Sequence, residues 1–300
     1  VGYQGTLYLV ATPIGNLEDI TLRAIRILKE ADVIACEDTR RTRGLLAHIG
    51  AHVPVLSLHE HNERARIPRV LDLLRGGKRV AVVSDAGMPA ISDPGALLVA
   101  AAVEAGIPVV PVPGPSAVTA AVALAGFPTD RFAFVGFLPR RTRERRRMLE
   151  GLVGLPMAVV MFETPHRVRE ALGDLARVLG DRRMVLVREL TKVHEEVLRG
   201  TAAGIREALD EAPRGEVTLV VEGASSEAAA GLRMSSGGEH GGGGRAGMSH
   251  DSPGVLVRRL LAKGFSRRDA ARVIAVVYGL PARDAYRIAA GEAGEGENGA

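Results

Sequence analysis

The sequence predicts an α/β protein built of two α/β domains with a small C-terminal helical appendage, and three observations carry the prediction. Short apolar runs alternate with helix-spaced segments over roughly the first 120 residues, the pattern of a mostly parallel sheet covered on both faces. A second set of strand-like runs follows "RFAFVGFLP" and the junction "GLVGLP", with the alternation of an antiparallel or mixed sheet. A stretch rich in Gly, Ser and Ala then separates both from a basic, helix-patterned end.

Taken in order, Leu7 to Ala11 is a continuous apolar run closed by "TPIGN", a buried strand ending in a tight loop. Helical spacing of Ile20, Ala24, Ile27 and Leu28 predicts a helix over Asp19 to Glu30, and Val33 to Cys36 returns to strand. "EDTRRTRGLLAHIG" runs from charged residues into a helix stopping at Gly50, and a short strand lies near Val53 to Leu58. The polar loop "HEHNE" leads into an amphipathic helix ending at Gly76. Then come strand Arg79 to Val83, the loop "SDAGMPAISDPG", helix Ala96 to Ala105, strand Pro108 to Val112 and the turn "PGPSA". Ser116 is placed to cap the helix that follows to Ala125.

The second set reads as strand "MAVVMFE", a helix through Leu179, strand "MVLVREL", a hairpin around "TKVHEEVLRGT", a helix to Ala212 and strand "GEVTLVVEG". Residues 224–252 have too few large apolar side chains to offset the entropy of ordering and read as a flexible linker, with His240 and His250 incidental. Three short helices follow, with Ser266, Pro281 and Ala282 marking starts and Gly264 and Gly279 marking stops. The expected organisation is 1–128 for the first domain, 129–223 for the second, 224–252 for the linker, 253–291 for a basic helical domain and 292–300 for a disordered tail.

Charge points toward a polyanionic partner. The net charge is only +4, but Pro139 to Met148 carries six Arg against one Glu, and Ser252 to Ala289 carries eight Lys or Arg against two Asp. Such clusters suit phosphates, whose neutralisation releases counterions; a solvated helix face is the alternative. An aromatic content of 3% without Trp argues against RNA recognition by a large set of stacking rings, leaving a few rings or Arg planes to serve. Cys36 is the lone cysteine, so an internal disulfide and a Cys-based zinc site are excluded, and its apolar surroundings predict a buried structural thiol. His59, Glu60 and His61 alternate along a loop without a helical ligand pair, so no metal is expected. No apolar run reaches membrane length and the first residues lack signal-peptide character, so the cytoplasm is the expected compartment.

In an open sheet, ligands bind at the carboxyl ends of strands, so the Gly- and Pro-rich loops within Arg79 to Ala117 are the first candidates for a site. No P-loop, no G-x-G-x-x-G after the first strand and no G-x-S-x-G elbow are present. What remains suits a small ligand held largely by backbone groups.

The ordered motifs "LYLVATPIGNLEDITLRAIRILKEADVIACEDTRRT", "VSDAGMPAISDPG", "VPVPGPSAV", "FVGFLPRR", "MFETPHR", "RELTKVHEE" and "GEVTLVVEG" closely resemble the tetrapyrrole methylase superfamily. Within it they are similar to the subfamily that methylates a cytidine 2′-hydroxyl in the decoding region of 16S rRNA. The resemblance spans about Thr6 to Gly223. It implies S-adenosylmethionine held between two α/β domains, in a homodimer acting on 16S rRNA, free or within the small ribosomal subunit. Carried over by position, the cofactor residues are Pro13, Ile14, Asp85, Gly87, Met88, Pro89, Ser116, Ala117, Phe162, Leu219 and Glu222.

Methyl transfer to a ribose hydroxyl demands positioning and removal of a poorly acidic proton. Asp38, Arg40, Glu163 and Lys192 are the catalytic candidates, with Asp38 or a neutral Lys192 as base; an interdomain ion-pair cluster is the other reading of these charges. Arg140, Arg141, Arg143, His166, Arg167, Arg258, Arg259, Arg267 and Arg268 are expected to meet RNA. Two other functions compete: a methylase of a tetrapyrrole or other small molecule, which would need neither basic cluster, and a nucleic-acid-binding module with a vestigial pocket, which would have lost cofactor-loop residues.

Overall fold

The computed structural model describes residues 5–225, 253–262, 266–278, 280 and 282–291. The predicted linker beyond 225, with His240 and His250, the predicted tail 292–300 and the side chain of Arg259 lie outside the described residues. The chain divides into two compact units, 1–238 and 239–300.

In the first unit, the early apolar runs become five parallel strands: β1 (Thr6–Val10), β2 (Val33–Cys36), β3 (Val55–Ser57), β4 (Arg79–Val83) and β5 (Val109–Val112), ordered β3-β2-β4-β1-β5. Period-two alternation splits β4 between the two faces. Ala81 and Val83 pack with Ala24, Ile27, Leu28 and Leu46 of α1 (Leu22–Glu30) and α2 (Thr39–His48). Val80 and Val82 pack with Val70, Leu74, Leu98 and Ala102 of α3 (Glu63–Arg75) and α4 (Ala96–Glu104). The parallel order puts every strand's carboxyl end, and so the loops after β1, β2, β4 and β5, on one edge.

A second, mixed sheet is ordered β6-β7-β10-β8-β9, from β6 (Phe132–Phe137), β7 (Ala158–Glu163), β8 (Met184–Arg188), β9 (Glu196–Gly200) and β10 (Val217–Val221). Only β6 and β7 pair in parallel there; β10 runs antiparallel to both β7 and β8. One face is covered by α6 (Thr142–Glu150), α7 (Pro165–Leu179) and α8 (Ala202–Ala208), through Leu149, Val168, Leu172 and Ile205. Val118 and Ala121 of α5 (Ala117–Ala123) pack on the other face against Val160, Val185 and Val220. The helix that follows β5 therefore packs on the second sheet, because its apolar positions meet Val160, Val185 and Val220 there.

Several helix ends differ from the periodicity-based reading. α1 starts at Leu22, because Thr21 accepts a hydrogen bond from the Ala24 amide at 3.1 Å and caps it there. α8 stops at Ala208 rather than Ala212. Ser116 occupies the N-cap position of α5, but its hydroxyl makes no capping bond.

The second unit is a three-helix cluster of α9 (Pro253–Ala262), α10 (Arg267–Tyr278) and α11 (Ala282–Ala290). Val257, Ala270, Ala271, Ile274, Ala285 and Ala289 form its core, each from the apolar stripe of its helix. Among the described residues, no helix is long and apolar enough to cross a membrane.

Candidate active site

The loops after β1 and β4 are tied together: the Thr12 amide donates to the Gly87 carbonyl at 2.9 Å and the Gly87 amide to the Thr12 carbonyl at 3.0 Å. Gly87 has φ of 77°, which a side chain would resist, so glycine is what lets the loop turn back onto β1. Beyond it, Ala90 and Ser92 hold φ of 68° and 61° without being glycine. That strained segment is anchored by the buried Glu63, whose Oε1 accepts from the amides of Gly95, Leu97 and Leu98 at 3.0 to 3.1 Å.

Two neighbouring cavities open where these loops face the second sheet. One, of ≈ 230 Å³, is bounded by Ile14, Gly87, Met88, Ser116 and Ala117 from the first-sheet side and Phe162, Glu163, Val217 and Thr218 from the second. Ile91, Ser92, Asp93 and Phe137 also line it. The other, of ≈ 330 Å³, takes Pro13, Arg41, Asp85 and Lys192 and shares Ile14, Ala86 and Glu216 with the first. On that side the chains approach closely: a Cβ at Gly15 would lie 2.9 Å from the Leu190 carbonyl oxygen and nearer still to Lys192 Cγ. The Asn16 amide donates to Thr191 Oγ1 at 3.1 Å.

The carboxylates around the cavities have divergent environments. Asp93 is pushed up to about 6, chiefly by burial and then by the negative charge of Glu37, against a lowering hydrogen bond from Ser84; Asp85 and Glu216 push in the same upward direction. Glu37 is raised by burial and by Asp85. Asp85 accepts from the Asp38 amide at 3.1 Å and pairs with Arg41 at 3.4 Å. Glu163 is buried and its Oε1 pairs with Arg167, while its Oε2 has no partner among the described residues.

The catalytic candidates separate. Glu163 lines the first cavity and Lys192 the second, whereas Asp38 and Arg40 line neither. Asp38 is the N-cap of α2, and hydrogen bonds from the Arg40 side chain and backbone lower it to about 2, which makes it a poor base. Arg40 is 87% exposed and occupied by that pair. Arg41 takes the place at the cavity; it stands four residues before Leu45, which lines the same wall, and that helical spacing is the signal that would have selected it. Burial disfavours a charged Lys192, but its hydrogen bond to Glu189 and the charge of Glu216 outweigh this and raise it, so a neutral Lys192 base does not fit.

Among the cofactor candidates, Pro13, Ile14, Asp85, Gly87, Met88, Ser116, Ala117 and Phe162 come together around the two cavities. Pro89 is buried in the turn beyond Met88 and lines neither cavity. Leu219 and Glu222 do not reach them. Because β10 is antiparallel to β7, its beginning, Val217 and Thr218, lies opposite Glu163 and Phe162. Leu219 is buried in the core, and Glu222 stands at the far end, where Arg183 Nε donates to it at 2.8 Å. Asp93, Phe137 and Thr218 line the first cavity although sequence reasoning does not select them; the second "SD" of the acidic turn, in "ISDPG", was the available signal for Asp93.

The basic stretch also divides. Arg140, Arg141 and Arg143 are exposed at the start of α6, Arg141 pairing with Glu144 at 3.3 Å. Arg145 is fully buried, bonded to Asp174 at 2.7 Å and Glu170 at 2.6 Å. His166 is exposed, but Arg167 is mostly buried in its pair with Glu163 and is not free to meet phosphate. Arg258, Arg267 and Arg268 are exposed on the second unit. His59 and His61 have ring centroids 6.0 Å apart, and no group of three or more metal-ligating side chains occurs among the described residues.

The family model described as Tetrapyrrole (Corrin/Porphyrin) Methylases matches residues 6–206. The chain is 44% identical over 286 residues to a Halalkalibacterium halodurans protein named ribosomal RNA small subunit methyltransferase I, covering 95% of this chain and 94% of that one. A Thermotoga maritima protein of the same name is 49% identical over 221 residues, covering 73% of this chain and 99% of its own. In fold, the chain is similar to a cobalt precorrin-4 methyltransferase, with TM-score 0.55, 22% identity and coverage of 72% and 94%. It is likewise similar to uroporphyrin-III C-methyl transferase from Thermus thermophilus solved with S-adenyl homocysteine, with TM-score 0.53, 21% identity and coverage of 72% and 97%.

Proposed function

The chain belongs to the tetrapyrrole (corrin/porphyrin) methylase family, and from that premise we propose that it uses S-adenosylmethionine to methylate the 2′-hydroxyl of a cytidine in the decoding region of 16S rRNA. The observation that carries this reading is near full-length similarity to proteins named ribosomal RNA small subunit methyltransferase I. It acts as a cytoplasmic homodimer, on free 16S rRNA or on the small ribosomal subunit.

The residues present fit the cofactor. The first cavity is walled largely by apolar side chains and by backbone exposed at Gly87, and at its wall the buried Oε2 of Glu163 has no hydrogen-bond partner among the described residues. Bound S-adenosylmethionine supplies a methyl group on a sulfonium, displaced in line to leave a neutral thioether. Asp93 and Glu216 line the cavity that would hold that cation, Glu216 being paired with Lys192. Asp93 takes the hydroxyl proton: its affinity for a proton near pH 6 is far better matched to the task than that of Asp38, and it stands at the cavity. Exposed Arg140, Arg141, Arg143, Arg258, Arg267 and Arg268 hold phosphates.

The test is to incubate the protein and methyl-labelled S-adenosylmethionine with free 16S rRNA, with small ribosomal subunits and with a tetrapyrrole. Label in a ribose of the RNA is the expected result. Label entering the ring compound alone overturns the reading, and label in a base overturns the ribose chemistry.

A further inference from the structure

Phe137 is a large apolar ring left open to solvent in a chain that has few rings. The sequence holds six Phe, four Tyr and no Trp, yet this ring is 50% exposed at the rim of the first cavity. Its position results from an irregularity in β6. From Phe134 to Phe137 the strand advances three residues, while its partner β7 advances two, from Val160 to Phe162. One residue is therefore extra, and the bulge includes Gly136 at φ of 71°. In an unbroken strand, Phe137 would share the face of Val135, which packs against the core under α6 and α7. The bulge puts it instead on the face of Phe134, where both rings meet Phe162, at centroid distances of 4.9 Å for Phe134 and 5.5 Å for Phe137.

The bulge lies close to the first-sheet loop across the cleft. A Cβ at Gly136 would lie 3.3 Å from Ser92 Oγ, so the strained turn of the first-sheet loop seats on the residue that re-aims the ring. Ile91, 46% exposed, lines the same cavity. Exposed Arg140, Arg141 and Arg143 follow the ring within a few residues. An exposed aromatic face followed closely in the chain by exposed cations suits single-stranded RNA, with rings stacking on bases and Arg on the backbone.

We propose that Phe137, backed by Phe162, is a stacking platform for an unstacked nucleobase of the RNA, and that it positions the target ribose at the cavity mouth. The proposal rests on the RNA-methylating function proposed above. A nucleobase ring is also part of the cofactor, so the test separates the two sources. A single-stranded small-subunit RNA segment and S-adenosylhomocysteine are titrated separately against the wild type, Phe137→Ala and Phe137→Tyr, and each protein's mass is read by sedimentation.

Loss of the ring in Phe137→Ala is expected to weaken RNA binding by roughly tenfold or more. Phe137→Tyr restores it, with mass unchanged in both variants and S-adenosylhomocysteine affinity falling in Phe137→Ala by less than RNA affinity does. RNA affinity unchanged in Phe137→Ala overturns the platform. A fall in S-adenosylhomocysteine affinity with RNA binding intact assigns the ring to the cofactor instead, and a drop in mass assigns it to an interface with a second copy; either overturns the proposal. A wild type that methylates no RNA overturns the function itself, whereas equal methylation by wild type and Phe137→Ala overturns the platform alone.

Discussion

Asp93 shows how a single side chain acquires its property from groups distant in sequence. Glu37, Asp85 and Glu216 surround it with negative charge; Arg41 pairs with Asp85, Lys192 with Glu216, and His59 acts on Glu37. In the unfolded chain the carboxyl has its ordinary value of 3.8, and in the folded chain about 6, so the native state holds the extra proton between those limits. Its contribution to stability is therefore complete below 3.8 and lost as pH rises through 6. Asp93→Asn carries no charge to bury, and its stability relative to the wild type should rise across that window and stay higher at neutral pH. Urea midpoints at acid and neutral pH read the difference; a gap that does not widen with pH contradicts the assigned environment. If Asp93 takes the ribose proton, the same variant loses most methyl transfer while S-adenosylhomocysteine affinity is kept.

Residue types and spacing made the acidic turn legible as a site but did not say which acid faced the cavity. Arg40 and Arg41 are adjacent in sequence; the α2 cap decides that Arg40 folds back on Asp38 while Arg41 reaches Asp85. A net of charged residues can be read as a catalytic set or as structural pairs, and only distances separate the two.

At the scale of elements, α6 illustrates the same ambiguity. Its sequence reads as one basic face, yet Arg145 and Arg146 both bind Asp174 of α7, and Arg145 also binds Glu170. Arg145→Ala would leave the buried Asp174 without one of its two cations and is expected to cost about 3–5 kcal/mol of stability, measured by urea unfolding. Arg143→Ala, on the exposed side of the helix, is the control and should change stability by less than about 0.5 kcal/mol. In β10 the apolar run identified a strand but not its direction, and direction placed Val217 and Thr218 rather than Leu219 and Glu222 at the cavity.

At the scale of the molecule, the two sheets share α5, which begins at the cavity with Ala117 and buries Val118 and Ala121 against the second sheet. The close approach of Gly15 to Lys192 and of Gly136 to Ser92 bounds the cleft on two sides. The basic three-helix unit has its own core and exposed Arg258, Arg267 and Arg268. Removing residues 252–300 should weaken RNA binding and flatten its dependence on salt, by about 0.9 in logarithmic slope for each phosphate that is no longer neutralised, without altering S-adenosylhomocysteine affinity. Equal loss of RNA and cofactor binding would mean that the unit supports the fold instead.

The sequence by itself determined the alternation of strands and helices, the loops at the strand ends and the family, because these follow from local periodicity, turn chemistry and ordered motifs. Only the tertiary structure decided which carboxylate titrates near pH 6, which arginines are buried, and which end of β10 and which ring of β6 meet the cavity. Those outcomes depend on strand direction, a one-residue bulge and the charges that folding brings together, and none of them is a function of neighbouring residues alone.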